Sequence, residues 1–245
     1  MTTLLENARL IDPEADSDTR GWLLISDGVI AGIGTGSPEG IEARTRIDCN
    51  GQALAPGIID IGVKTCEPGE RHKESIRTAG LAAAAGGVTT MVTRPDTTPA
   101  LDTPEVLAFV RRRGAEVARV RMLPMAALTK GRAGAEMTEI GFLMDAGAVA
   151  FTDCDHVVRN PKVLARAMTY ARSLGALIIA HPQDPDLSAG AAVTSGKFAS
   201  LRGLPAVSPM AERMGLERDL ALVEMTRARY HADPPWPAPS KPGWT

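Results

Sequence analysis

From residue 56 onward the chain alternates short apolar runs with helical stretches, and that alternation constrains its fold more than any other feature. Apolar runs of strand length fall at Ile58–Val63, Val88–Thr93, Val120–Ala126, Ala148–Thr152 and Leu177–His181. Helical stretches lie between them at Ile76–Ala85, Thr103–Arg113, Met137–Asp145 and Pro161–Leu174. Strand followed by helix, repeated, calls for a parallel sheet with helices in the crossovers. The helix ends carry their own signals. Thr103-Pro104 and Asn160-Pro161 set a capping residue before a first-turn proline. Gly86-Gly87 and Gly175 sit just past helix ends, where a left-handed residue is wanted.

Five βα units are countable in this way, and a sixth strand begins near Arg229-Tyr230-His231. A closed (β/α)8 barrel has eight strands and takes about 250 residues. The expected fold is therefore α/β, a partial (β/α)8 TIM-type barrel of about five to six units over residues 56–233. Such an open barrel is expected to expose strand edges and an unclosed core, both aggregation liabilities.

Residues 1–55 read as short β-strands joined by tight turns. Leu23-Leu24-Ile25 and Val29–Gly34 flank Ser26-Asp27-Gly28, a hairpin signal. The glycine-rich stretches Gly32–Gly36 and Gly86-Gly87 are read as turns, since neither opens a helix with a phosphate-binding pattern. From Asp233 to Thr245 the composition breaks: five prolines replace the strand pattern. Proline donates no ladder hydrogen bond, so residues 234–245 are expected to be an aberrant tail, polyproline-like or disordered, from a lost reading frame. The alternative is a proline-rich docking tail.

Charge and composition exclude some classes. A net charge of −2 gives no reason to expect nucleic acid or an anionic membrane as partner. Arg111-Arg112-Arg113 is read as a solvated helix face. With aromatics at 4%, the core must be built from Ala, Val, Leu, Ile and Met. No apolar run reaches the ~18 residues of a membrane span, and the N-terminus lacks a basic segment followed by a long apolar one. Cys49, Cys66 and Cys154 are too scattered for a disulfide framework. The cytoplasm is the expected compartment.

One stretch carries chemistry by what it resembles. Pro56-Gly57-Ile58-Ile59-Asp60-Ile61-Gly62-Val63-Lys64-Thr65-Cys66-Glu67-Pro68-Gly69 is similar to the first barrel strand of the dihydroorotase branch of the amidohydrolase superfamily, which reads roughly PGFIDLHVHLREPG. Further pieces follow in the family's order. Ala82–Thr90 resembles its first helix and second strand, Arg94-Pro95-Asp96-Thr97 its MPNT, Gly147–Asp153 its GAVAFSDDG, and Ala180–Asp184 its AHCED. Leu201–Pro205, Pro209–Glu212 and Glu217–Leu222 resemble the loop and helix beyond. The resemblance implies a barrel preceded by part of a small β-sandwich, zinc at the barrel mouth, and hydrolysis of a cyclic amide.

Position by position, the resemblance implies an impaired site. The two metal-binding histidines of strand one align with Gly62 and Lys64. Glycine offers no ligand, and a lysine cation would repel a metal. The substrate-gripping arginine aligns with Cys66 and the substrate asparagine with Asp96. Two metal positions keep ligating residues, Asp153 and His181. The strand-six histidine falls near Pro234, and the catalytic aspartate of strand eight has no counterpart, so no catalytic residue is assigned. Lys64 is expected either to pair with Asp153 in the former metal position or to face solvent. A metal site rebuilt from Asp153, Cys154, Asp155 and His156 is not expected, because neighbours on a strand face opposite ways. His72 and His156 are read as exposed loop histidines, and Cys66 lacks a base to activate it.

The expected function is a dihydroorotase-like protein of pyrimidine biosynthesis, catalytically impaired and without bound zinc. Some family members lacking metal ligands are structural partners of aspartate transcarbamoylase, which makes that enzyme the expected partner. A full-length form is expected to be oligomeric. The alternatives are an active dihydroorotase or a hydantoinase- or allantoinase-like amidase, and a truncated gene product without function.

Overall fold

A computed structural model describes residues 1–233, so the proline-rich 234–245 lies outside the described residues. Among the described residues the chain divides into two compact units, the first Met1–Ile58 and the second from Ile59 onward.

The first unit is a single sheet. Strand β1 (Thr2–Asp12) pairs antiparallel with β2 (Ser17–Ser26), which continues antiparallel to β3 (Val29–Thr35). On its other edge β1 pairs in parallel with β4 (Thr45–Asp48) and β5 (Ala53–Leu54). Asp27 and Gly28 both adopt positive φ, 51° and 82°. That matches the twist of a two-residue hairpin and explains why Asp-Gly sits there. The expectation that Gly32 and Gly34 are turn residues is corrected. They lie inside β3, where a Cβ on Gly34 would meet the Trp22 ring at 2.4 Å, so glycine there makes room for the indole.

In the second unit the βα alternation is realised. Strand β6 (Ile58–Val63) leads to α1 (Ile76–Ala85), β7 (Val88–Thr93), α2 (Pro104–Val117) and β8 (Arg121–Pro124). Helices α3 (Ile140–Asp145) and α4 (Pro161–Ser173) precede β9 (Leu177–Ala180). Then follow β10 (Val193–Thr194), α5 (Lys197–Arg202), β11 (Ala206–Val207), α6 (Met210–Thr226) and β12 (Arg229–Ala232).

The run Ala148–Thr152 forms no full strand but bridges its neighbours in parallel through Phe151, to Ala126 on one side and Ile178 on the other. Its amides and carbonyls still bond both ways: Ala126 N–H donates to Ala150 O at 2.9 Å, and Phe151 N–H to Leu177 O at 2.9 Å. The main-chain ladder therefore runs through β6, β7, β8, the Phe151 segment, β9 and β12. Along it, adjacent residues fall into two apolar clusters. Ala126, Phe151 and Ile178 join the large cluster with Leu107, Leu164 and Met168, while Val92, Met125, Ala150 and Ile179 form the other. Burial on both faces is what a parallel sheet needs, and it accounts for the continuous apolar runs in the sequence. Strand β6 departs from this: Ile59 and Ile61 are 62% and 58% exposed.

Two helix limits differ from expectation by more than one residue: α2 runs past Arg113 to Val117, and α3 begins at Ile140 instead of Met137. Residues 137–139 stay outside α3 because Thr138 Oγ1 donates to Ala127 O at 2.7 Å and Met137 bridges Thr129. Asn160 caps α4 by accepting from Lys162 N–H at 2.9 Å, while Thr103 makes no side-chain cap bond. The arginine run on α2 is more than a solvated face. Arg111 donates to Ala146 O, and Arg113 pairs at 3.3 Å with the buried carboxylate of Glu67.

Candidate functional site

Residues just past β6 and β7 and the loops beyond β8 and Phe151 build one charged cluster. Lys64 follows β6 directly. Its ammonium lies 3.0 Å from Asp96 Oδ2. Arg94 follows β7, held by its amide, which donates to Val63 O at 2.9 Å. Its guanidinium reaches the same Asp96 oxygen at 3.0 Å and Asp155 Oδ1 at 3.6 Å. Arg132 completes the line at 2.6 Å from Asp155 Oδ1 and donates to the main-chain carbonyl of Asp153. Three cations thus face two carboxylates. The Asp96 side chain is 3% exposed and that of Lys64 49%, so the pair straddles the boundary between interior and solvent.

The electrostatics follow the geometry. The hydrogen bond and charge of Asp96 raise the Lys64 ammonium above the ordinary lysine value. For Asp155, burial works the other way, yet its main-chain hydrogen bond together with Arg132, His156 and Arg94 holds the carboxyl below the ordinary range. Burial pushes the Cys154 thiol up to about 11 against the opposing charge of Arg94.

Asp153 is not part of this line. Its Oδ1 accepts from the amides of Leu128 at 3.0 Å and Thr129 at 2.9 Å, and its Oδ2 from the Thr129 hydroxyl. Burial raises its carboxyl above the ordinary range, with those donors and Arg132 opposing. The expected Lys64–Asp153 pair is therefore corrected: Lys64 pairs with Asp96, because Asp153 is already saturated by the loop after β8. His181 lies at the end of β9 and bonds Gln183 Oε1 at 3.3 Å. It lines one narrow crevice with Asp153, His156, Arg218 and Asp219. The fold thus brings Asp153 and His181, the two positions expected to keep metal-ligating residues, to one crevice, and Lys64 and Asp96 to one ion pair.

The remaining positions stand apart. Gly62 is the penultimate residue of β6, at φ +107°. Cys66 is buried at φ +52°. Past Phe151 the chain turns at once, with Cys154 at φ +57°, so Cys154 is buried while Asp155 and His156 are exposed. His72 is exposed. Arg94, Thr129 and Arg132 escaped the sequence reading. Arg94 had one signal, since it lies two residues before Asp96 in a motif already noted. Arg132 reaches the site only through a 3-10 turn, Lys130–Arg132, with positive φ at Gly131 and Arg132.

A zinc ion, which the resemblance implies, does not fit these residues. Residue 62 has no side chain, and residue 64 brings a cation. Asp96 Oδ1 is buried without a hydrogen-bond partner among the described residues, but its companion oxygen already holds two cations. Both oxygens of Asp153 serve Leu128 and Thr129. Among the described residues, no three His, Cys, Asp or Glu side chains are grouped to hold a metal ion, against the three protein ligands a catalytic zinc normally takes.

Comparison with known proteins agrees with this architecture. The chain is 39% identical over 231 residues to a dihydroorotase-like protein of Pseudomonas putida, a match covering 94% of this chain and 54% of that one. It is also 39% identical to a dihydroorotase of Solibacter usitatus, covering 94% and 53%. Among solved structures, the L-hydantoinase (dihydropyrimidinase) of Arthrobacter aurescens superposes with a TM-score of 0.78 at 20% identity, covering 94% of this chain and 52% of that one. That likeness shows the fold, half of an amidohydrolase barrel. The chain spans about half the length of the curated relatives it matches. The dihydro-orotase-like family model matches residues 51–233, and the chain belongs to that family.

Proposed function

We propose that this is a dihydroorotase-like protein of pyrimidine biosynthesis that does not hydrolyse cyclic amides and serves as a structural partner of aspartate transcarbamoylase in the cytoplasm. The observation carrying the reading is the Lys64–Asp96 pair at 3.0 Å, a protein cation where the family pattern calls for metal-binding histidines. Amidohydrolase chemistry needs a metal to generate hydroxide and polarise the scissile carbonyl. Lys64 and Arg94 oppose a divalent ion through like charge, and Asp153 is occupied by neutral donors. Cys66 in the substrate-arginine position offers no bidentate fork for a carboxylate. The surrounding frame is kept: Glu67 still accepts from Ile76 N–H at 3.0 Å and pairs with Arg71 and Arg113. Retention of the frame with replacement of the site supports a scaffolding role over decay. No helix among the described residues is long and apolar enough to cross a membrane.

The test is co-expression with the aspartate transcarbamoylase of the same organism, followed by size-exclusion chromatography and a dihydroorotate assay with added zinc. Co-elution without turnover is expected. Zinc-dependent turnover favours the active-amidase alternative, and clean separation of the two proteins removes the partner role.

A further inference from the structure

We propose that Lys64 is the resident cation of this site and that the main chain at Gly62 bars the return of a metal-ligating side chain. The loss is then written into backbone conformation as well as into side chains. The inference rests on the alignment of residues 62 and 64 with the family's histidine pair, and so on the metal-free reading above.

Gly62 has φ +107°, and a Cβ built on it meets nothing within 4 Å. Space is therefore not the obstacle; conformation is. An L-residue at such a φ is held in a sparsely populated region, whereas glycine enters it freely. A histidine at 62 must either accept that strain or rotate the end of β6. The rotation is not local. The next residue, Val63, gives its carbonyl to the amide of Arg94 at 2.9 Å. Arg94 and Lys64 both hold Asp96 Oδ2 at 3.0 Å. Turning residue 62 thus shifts the strand end that presents Lys64, and disturbs the bond that seats its companion cation. The positive φ and the ion pair support one another, and a change at either undermines both.

The test compares Gly62→Ala with Gly86→Ala in the full chain by thermal unfolding. Gly86 has φ −85°, and its nearest added contacts are ordinary at 3.5 Å, so its substitution is expected to leave Tm unchanged. Gly62→Ala is expected to lower Tm by roughly 2–8 °C. The double variant Gly62→His, Lys64→His is expected to lose at least as much and to gain no stability from zinc chloride. If Gly62→Ala does not fold, D-alanine at 62 adds the same methyl with the opposite φ preference. It is introduced by ligating synthetic residues 1–65 to a fragment beginning at Cys66. Folding of the D-alanine form upholds the inference, and failure of both epimers overturns it. A Gly62→Ala Tm equal to wild type also overturns it, as does stoichiometric zinc binding by an undamaged double variant. Zinc bound stoichiometrically by the unaltered chain would instead sink the metal-free reading on which it rests.

Discussion

Asp153 separates a metal ligand from a structural fastener, and Asp153→Ala makes the distinction measurable. The side chain is buried and accepts from the amides of Leu128 and Thr129 at 3.0 and 2.9 Å and from the Thr129 hydroxyl. Alanine would leave these donors without their acceptor. At about 1–2 kcal/mol for each buried donor, the gross cost is about 3–6 kcal/mol. Part is returned, because the carboxyl is itself raised by burial and its ionised form is disfavoured. The net expectation is about 3 kcal/mol, read as a shift of the urea midpoint at pH 7. Asp153→Asn keeps a carbonyl oxygen for the two amides and is expected to cost about 1 kcal/mol.

The pH dependence has a definite sign. A carboxyl raised in the folded state contributes stability that is full below the unfolded pKa of about 3.9 and is lost as pH rises through the higher folded value. Asp153→Asn should therefore gain on the wild type as pH rises from about 4. A carboxylate reserved for a metal would behave otherwise, since apo protein seldom suffers when such a charge is removed. A loss below about 1 kcal/mol for Asp153→Ala, or a wild type that gains on the asparagine variant with rising pH, would refute the fastener role.

Other outcomes test neighbouring parts. Tyr230 donates to Asp219 Oδ2 at 2.8 Å, and burial, reinforced by Asp219, raises its hydroxyl above the ordinary value. Its stabilisation is present below the unfolded pKa of about 10 and lost on further alkalinisation. One tyrosinate signal should thus appear only with loss of ellipticity, and its appearance beforehand would contradict the burial. With its thiol pushed up to about 11, Cys154 should not react with a disulfide reagent at pH 8 in the folded state, so Cys154→Ser should leave the native thiol count unchanged. Asn160→Ala removes the cap on α4 and should lower stability by about 1 kcal/mol in urea.

The parts of this fold legible in the sequence are those where one local rule governs. Ile58–Val63 and Val88–Thr93 were readable as parallel-strand runs, and Ile76–Ala85 as a helix, with the same limits the structure gives. The Phe151 segment was readable as apolar but not as two-sided single bridging, because that depends on how far β8 and β9 lie from it. The site was harder, for a physical reason. The motif resemblance sets Lys64 at a position expected to hold a ligand and so suggests Asp153 as its partner. Which carboxylate a cation takes, however, depends on what else each carboxylate has to bond. Asp153 meets two amides and a hydroxyl contributed by the loop after β8, whereas the second oxygen of Asp96 is buried without a donor among the described residues and Asp96 sits beside Arg94. A buried carboxylate with few neutral donors must find cations or lose its charge. Lys64 therefore goes to Asp96, and two positions that the sequence reading treated as separate departures from the family motif are halves of one ion pair. Their coupling gives the pattern its strongest internal check. In a double-mutant cycle, Lys64→Met and Asp96→Asn together should cost less than the sum of the two alone.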